Sequence, residues 1–288
     1  MDKIAPNIWF DQNAKQAVEL YTSAFEGSRI RSINHYFDGF FPDDMKELSL
    51  PDGTVLYVDF KLGDQRFGAL NGGPIFHPTP SVSFYVRCST KEQLSSLWNT
   101  LAPGGNVLME LGAYPFSELY GWLNDRYGVS WQLILSPGQH DISPCLMFTG
   151  KANGRAEEAM NFYCSLFPDS GIRQLARYEK DRNGEEGNVL HAEFELAGQS
   201  FVAMDSDLPH QFGFTEGVSL MVFCKTQGEI DFFWDKLTQN GEEQPCGWLK
   251  DQFGVSWQIV PDVMEQLSDE TDKERAKRVN HALLKMKK

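Results

Sequence analysis

Apolar and polar positions alternate over Ile4–Phe10, and apolar residues then recur at three- and four-residue spacing through Ala17, Val18, Leu20, Tyr21 and Phe25. Alternation returns over 30–36. The change from a period of two to a period near 3.6 and back predicts strand, helix, strand. Asn13 stands where a helix cap is needed. A loop rich in Gly, Pro and Asp (38–53) follows, and then 55–62 and 66–70 read as a hairpin folded about Gly63-Asp64. The order restarts at Val82–Cys88. A helix carries Leu94, Leu97, Trp98 and Leu101, with Thr90 and Gln93 spelling a capping box. Strands at 107–111, 119–124 and 129–135 complete it. The stretch therefore holds two βαβββ modules.

The whole pattern then repeats. GWLNDRYGVSWQ from Gly121 returns as GWLKDQFGVSWQ from Gly247, identical at nine of twelve positions. IAPNIWF from Ile4 answers ISPCLMF from Ile142, and GTVLYVDFKLGDQRFGALNGG from Gly53 answers GNVLHAEFELAGQSFVAMDSD from Gly187. An internal repeat sets the architecture before any local assignment. The expected fold class is α+β: two tandem domains, 1–137 and 142–261, each a curved mixed sheet with helices outside, four βαβββ modules in all. SPGQHDI (136–142) is the polar, Gly- and Pro-bearing joint. Residues 262–288 are expected to form a helix, with Thr271 and Glu274 as a capping box and Ala276, Val279, Leu283 and Met286 as an apolar stripe. That stripe suits docking on the chain's own sheet.

The net charge of −14 disfavours nucleic acid and anionic membrane surfaces as partners. Five cysteines without a CxxC, two of them (Cys88 and Cys224) at matching ends of apolar strands, read as buried thiols rather than a disulfide framework. No apolar run approaches a membrane span and no leader pattern is visible, so a cytoplasmic location is expected. Ser–His–Asp spacing, a Cys–His pair in motif context and a phosphate-binding loop are all missing.

Two βαβββ modules per repeat, the start at Pro6–Trp9–Phe10, the ALNGG turn and the GWLxDxxGxSWQ ending resemble the PhnB-like branch of the vicinal-oxygen-chelate superfamily. That superfamily includes glyoxalase I, bleomycin-resistance proteins, fosfomycin-resistance enzymes and extradiol dioxygenases. The 274–288 tail, ERAKRVNHALLKMKK, resembles the same branch. The branch is often labelled demethylubiquinone methyltransferase-like, but this sequence lacks a Gly-rich turn after its first strand and an alternating parallel-sheet pattern, so methyl transfer is not expected.

The resemblance implies a divalent ion held by His and Glu from the first and last strands of the modules. The matching positions here are Asn7 and Cys145 on first strands, Ser81 or Ser83 and Gly217 or Ser219 on fifth strands, Gln132 and Gln258 on last strands, and Asn71 and Asp205 at the ends of fourth strands. Neutral amides are poor sole ligands for Zn, Ni or Fe. The reading is therefore of metal-free and cofactor-free sites. One cavity is expected to be lined by Asn7, Trp9, Asn71 and Gln132, the other by Cys145, Met147, Asp205 and Gln258. The resemblance implies a binding protein for a small organic molecule such as an antibiotic or metabolite, and the acidic surface would suit a cationic drug. The alternative is a metal-dependent lyase, isomerase or transferase.

His77 and His210, in matching loops, are candidate acids or bases. His191, Glu193 and Glu195 share one strand face; their counterparts in the first copy are Tyr57, Asp59 and Lys61, so the cluster is not duplicated. Because the copies can pair with each other, the chain is expected to be a monomer with an internal pseudo-dimer, or else a homodimer.

Overall fold

The computed structural model describes residues 2–48, 50–180, 184–264 and 272–288. The first repeat contains β1 (Ile4–Phe10), α1 (Ala14–Ala24), β2 (Arg29–His35), β3 (Val55–Leu62) and β4 (Gln65–Asn71), then β5 (Val82–Cys88), α2 (Lys91–Leu101), β6 (Asn106–Tyr114), β7 (Ser117–Asn124) and β8 (Ser130–Leu135). The second contains β9 (Asp141–Thr149), α3 (Ala156–Leu166), β10 (Gly171–Arg177), β11 (Val189–Leu196) and β12 (Gln199–Ser206). It continues with β13 (Val218–Cys224), α4 (Gln227–Leu237), β14 (Glu242–Glu243), β15 (Trp248–Lys250) and β16 (Ser256–Pro261). A last helix, α5, spans Lys273–Leu283. Among the described residues no helix is long and apolar enough to cross a membrane.

The strands form two eight-stranded mixed sheets, and each sheet takes one module from each repeat. Sheet A runs β14-β15-β16-β13-β1-β4-β3-β2, and sheet B runs β10-β11-β12-β9-β5-β8-β7-β6. This corrects the expectation that each repeat closes a sheet of its own. The joints are antiparallel and equivalent: β1 against β13, with Asn7 opposite Ser219, and β9 against β5, with Cys145 opposite Ser83.

Each repeat is unified on the helix side instead. Asp125 accepts from the Tyr21 hydroxyl (2.7 Å), the Trp131 indole (2.9 Å) and the backbone N–H groups of Tyr127 and Val129. Asp251 does the same with Tyr163, Trp257, Phe253 and Val255. The repeated GWLxDxxGxSWQ segment is thus a structural lock: its buried carboxylate joins the helix of one module to the last strand of the next. Burial raises both carboxyls, Asp251 to about 6.

Thr90 caps α2 as its capping box predicts, and Thr226 caps α4 in the same way. Asn13 occupies the cap position of α1 but makes no side-chain cap bond. The capping box expected at Thr271 lies outside the described residues, and Asp272 caps α5 through the Arg275 N–H.

Candidate functional site

Alternation sorts every strand. On β1, Ile4, Ile8 and Phe10 enter the helix-side core, while Ala5, Asn7 and Trp9 face the other way. Two small apolar clusters sit on these opposite faces: Ala5, Met221, Phe223 and Val260 on sheet A, and Tyr85, Tyr120, Ile134, Cys145 and Val202 on sheet B.

These faces are concave. His281 lies 2.9 Å from the Gly39 carbonyl, beyond the β2 edge of sheet A. Five residues later the Met286 and Lys287 carbonyls accept from the Cys246 and Gly247 N–H groups, beside the β15 edge. Five extended residues reach about 18 Å, whereas eight flat strands would span roughly 34 Å. The edges must curl toward one another, and the segment carrying α5 straps the mouth between them. Lys273 with Asp52 and Lys287 with Glu243 reinforce its two ends.

The eight candidate residues do not assort as the sequence implies. Asn7, Trp9 and Gln258 lie on the concave face of sheet A, and Gln132, Cys145 and Met147 on that of sheet B, because the sheets exchange modules. Asn71 and Asp205 belong to neither. They follow Phe67–Ala69 and Phe201–Ala203 on the helix side, where they serve as remote caps. Asn71 accepts from the Ala14 N–H (2.9 Å) and donates to the Val55 carbonyl (2.9 Å). Asp205 accepts from Gly154, Ala156 and Val189. This is why α1 does not need the Asn13 side chain.

On sheet B, Gln132 is fully engaged. Its carbonyl accepts from the Tyr120 hydroxyl (2.7 Å), and its amide donates to Ser83 Oγ (2.8 Å) and to Cys145 Sγ (3.5 Å). Val202 and Tyr85 pack around this knot. Burial pushes the Cys145 thiol up to about 12 and raises the Tyr85 and Tyr120 hydroxyls further, so the centre is neutral at ordinary pH. Arg87, stacked 5.1 Å from Tyr85, is satisfied by Asp141 (2.8 Å) and Glu193 (2.5 Å). His191 sits 5.6 Å from Tyr85, and burial lowers its pKa.

On sheet A, three substitutions change the outcome. Cys246 replaces Tyr120, Gly68 replaces Val202, and Asn7 replaces Cys145. Gln258 donates to Ser219 Oγ (2.8 Å), and its carbonyl has no protein donor among the described residues. Asn7 is 1% exposed, yet neither its amide nitrogen nor its oxygen has a hydrogen-bond partner. Gly68 makes room beside it: a Cβ there would lie 2.7 Å from Asn7 Oδ1 and 2.3 Å from the Tyr57 hydroxyl. Tyr57 reaches the Met221 thioether (3.6 Å), a weak acceptor. Trp9 packs edge-on against Trp248 (5.9 Å) and Phe76 (5.0 Å) and donates to the Gly73 carbonyl. Arg66 and Asp59 on this face form a bidentate pair at 2.9 and 3.1 Å.

The sequence reading placed Asn7, Trp9 and Gln258 among the candidates, offered Ser83 and Ser219 as alternatives to Ser81 and Gly217, and gave no role to Gly68 or Tyr120, which the structure sets beside them. The signal was present in the repeat alignment, as the mismatches Gly68/Val202 and Tyr120/Cys246 inside otherwise similar segments. His77 is exposed, and its carbonyl ties down Thr215. His210 pairs with Ser206 Oγ (2.8 Å).

At the superfamily's ligand positions, sheet A offers Asn7, Ser219 and Gln258, and sheet B offers Cys145, Ser83 and Gln132. Neither set fits a transition-metal ion, and among the described residues no three His, Cys, Asp or Glu side chains converge to hold one. Two open surface clefts, of 580 and 450 Å³, lie away from both faces, near Arg155 and Gln252 and near Phe25 and Gln199. Neither is lined by a buried unpaired polar atom.

No curated protein matches the chain. The chain is 40% identical to a putative 3-demethylubiquinone-9 3-methyltransferase, PhnB protein, from Bacillus cereus, over 47% of this chain and 100% of that one (TM-score 0.42). Glyoxalase I from Zea mays is 12% identical, with 96% of this chain and 95% of that one covered (TM-score 0.51). A mutant of the same Zea mays enzyme reaches a TM-score of 0.53 at 10% identity, over 93% of this chain and 96% of that one. These two show a shared fold. The family model described as 3-demethylubiquinone-9 3-methyltransferase matches residues 2–134 and again 140–260. The chain therefore belongs to this family, with two matched copies in tandem.

Proposed function

We propose that this chain binds a small organic molecule on the concave face of sheet A, without a divalent ion, and that sheet B is the structural partner that holds that face in shape. The observation that carries the reading is Asn7. A buried amide with both polar atoms unmet costs about 1–3 kcal/mol per group. Such a group is expected where a ligand supplies the missing partners. The neutral donor sets support a metal-free site, and sequestration of a metabolite or antibiotic is the simplest use for it. The chain works as a monomer in this reading, because the fusion supplies both modules of each sheet at high effective concentration.

The test is a thermal-shift screen against metabolites and antibiotics, with and without chelator, alongside metal analysis of the purified protein. Saturable stabilisation that chelator leaves intact and Asn7→Leu removes is the expected result. A stoichiometric transition metal whose removal abolishes binding would transfer the chain to the metal-dependent lyase, isomerase or transferase reading. Stabilisation by S-adenosylmethionine would restore the methyltransferase reading.

A further inference from the structure

The polar atoms left open on sheet A define a ligand class, given the binding role proposed above. Asn7 presents one donor and one acceptor in a single plane, both screened from water. An acceptor-only ligand meets the nitrogen and leaves the oxygen stranded. A carboxylate also sets its charge against that oxygen, and the nearby cation is already committed: Arg66 is held by Asp59 in a bidentate pair and stacks 4.3 Å over Phe223. A cationic ligand fares no better, since Asp59 is held by both Arg66 and Arg31 (2.8 Å). Burying an uncompensated charge here is costly.

Both atoms of Asn7 are met together by a planar edge with an N–H beside a C=O, which pairs with a carboxamide through two antiparallel hydrogen bonds. The Gln258 carbonyl, lacking the tyrosine donor that its counterpart Gln132 has, adds one more acceptor. Trp9, Trp248 and Phe76 supply aromatic walls suited to a flat body. Gly68 leaves room for the Asn7 carboxamide and the Tyr57 ring to lie side by side over β4, where a Cβ would clash with both.

We infer that the sheet A site takes an uncharged, flat ligand whose polar edge is a cyclic amide, imide or ureide, paired with the Asn7 carboxamide. Sheet B cannot take the same ligand, because Cys145 stands in place of Asn7 and a buried Val202 side chain stands in place of Gly68.

Three compounds of one ring size separate the possibilities: 2-quinolinone, with N–H beside C=O; 2-methylquinoline, with an acceptor only; and quinoline-2-carboxylate, an anion. Calorimetry on the full chain should show one 2-quinolinone bound per chain, the methyl compound at least tenfold weaker, and the carboxylate silent. Asn7→Leu should weaken 2-quinolinone at least tenfold, to the level of 2-methylquinoline. Gly68→Ala should weaken it as well. Melting curves identify any variant that fails to fold, and Asn7→Ser then serves as the milder replacement. Undiminished binding to Asn7→Leu, or equal binding of the carboxylate, would overturn the ligand class while leaving a site on sheet A. If none of the three binds at millimolar concentration, the class is wrong. If the broader metabolite screen is also silent, the binding role itself fails.

Discussion

At the centre of sheet B one glutamine amide is bonded to a tyrosine, a serine and a cysteine, and a valine fills the space beside them. At the same register in sheet A the glutamine bonds only a serine, a glycine replaces the valine, and a buried asparagine is left with no partner. The strand order is the same in both places, and so is the helix side, where Asp125 and Asp251 make four equivalent bonds each. Under the proposed function, the difference separates stability from binding between two copies of one fold. Around its central glutamine sheet B satisfies its own polar groups, although His191 Nε2 and Ser81 Oγ on that face are buried without a partner, whereas sheet A leaves Asn7 unmet at the matching centre, where the proposed ligand would sit. Unmet polar groups are tolerated only where the rest of the structure holds them in place.

The largest effect should fall where the two halves agree. Asp125→Ala and Asp251→Ala each strand a tyrosine, an indole and two backbone donors, and each should lower stability by about 3–5 kcal/mol in urea melts. Unequal losses would show that the halves differ on the helix side too. The second effect is pH-dependent. Burial holds Asp251 at about 6 against an ordinary 3.8, so its contribution favours the folded state below about pH 4 and is lost as pH rises through about 6. The stability of the wild type minus that of Asp251→Asn should therefore grow as pH falls from 7 to 4, by at most about 3 kcal/mol. A flat difference would place the titration elsewhere.

The concave faces should then part company. Gln132→Leu, which strands the Tyr120 hydroxyl in a dry site, should cost about 2 kcal/mol, while Gln258→Leu should cost less than about 1. Equal costs would erase the distinction between filled and open faces. The smallest effect has the opposite sign: Asn7→Leu removes two unmet polar atoms and should stabilise the empty protein by about 1 kcal/mol. A destabilised Asn7→Leu would mean that the asparagine already has a structural partner.

Local chemistry was legible in the sequence. The four modules and the placement of Trp9 with Asn7 follow from periodicity, and the cap at Thr90 from its Thr-x-x-Gln spacing. The partners of β1 were not legible. A period-two pattern says which side chains share a face but not which strand lies alongside, and β1 pairs with β13, far away in the chain. That one ambiguity sent Gln132 and Gln258 to the wrong cavities. Asn71 and Asp205 were misassigned for a different reason: at a strand end, a polar side chain on the helix side has a helix N-terminus to bond, which alternation alone does not reveal. Asn13 was the converse case, a residue at the cap position whose bond is supplied from Asn71.

The exchange of modules also bears on the order in which the protein can assemble as it is made. Sheet B joins β5 to β9, with Val82 opposite Leu146, so its halves meet soon after the second repeat begins to emerge from the ribosome. Sheet A joins Ile4 to Val222, so its first module must wait for nearly the whole chain with the unpaired edge of β1 open to other molecules. The face proposed to bind a ligand is thus the last to close and the one most exposed to misassembly during synthesis. Slowed translation between the repeats should harm it more than its twin.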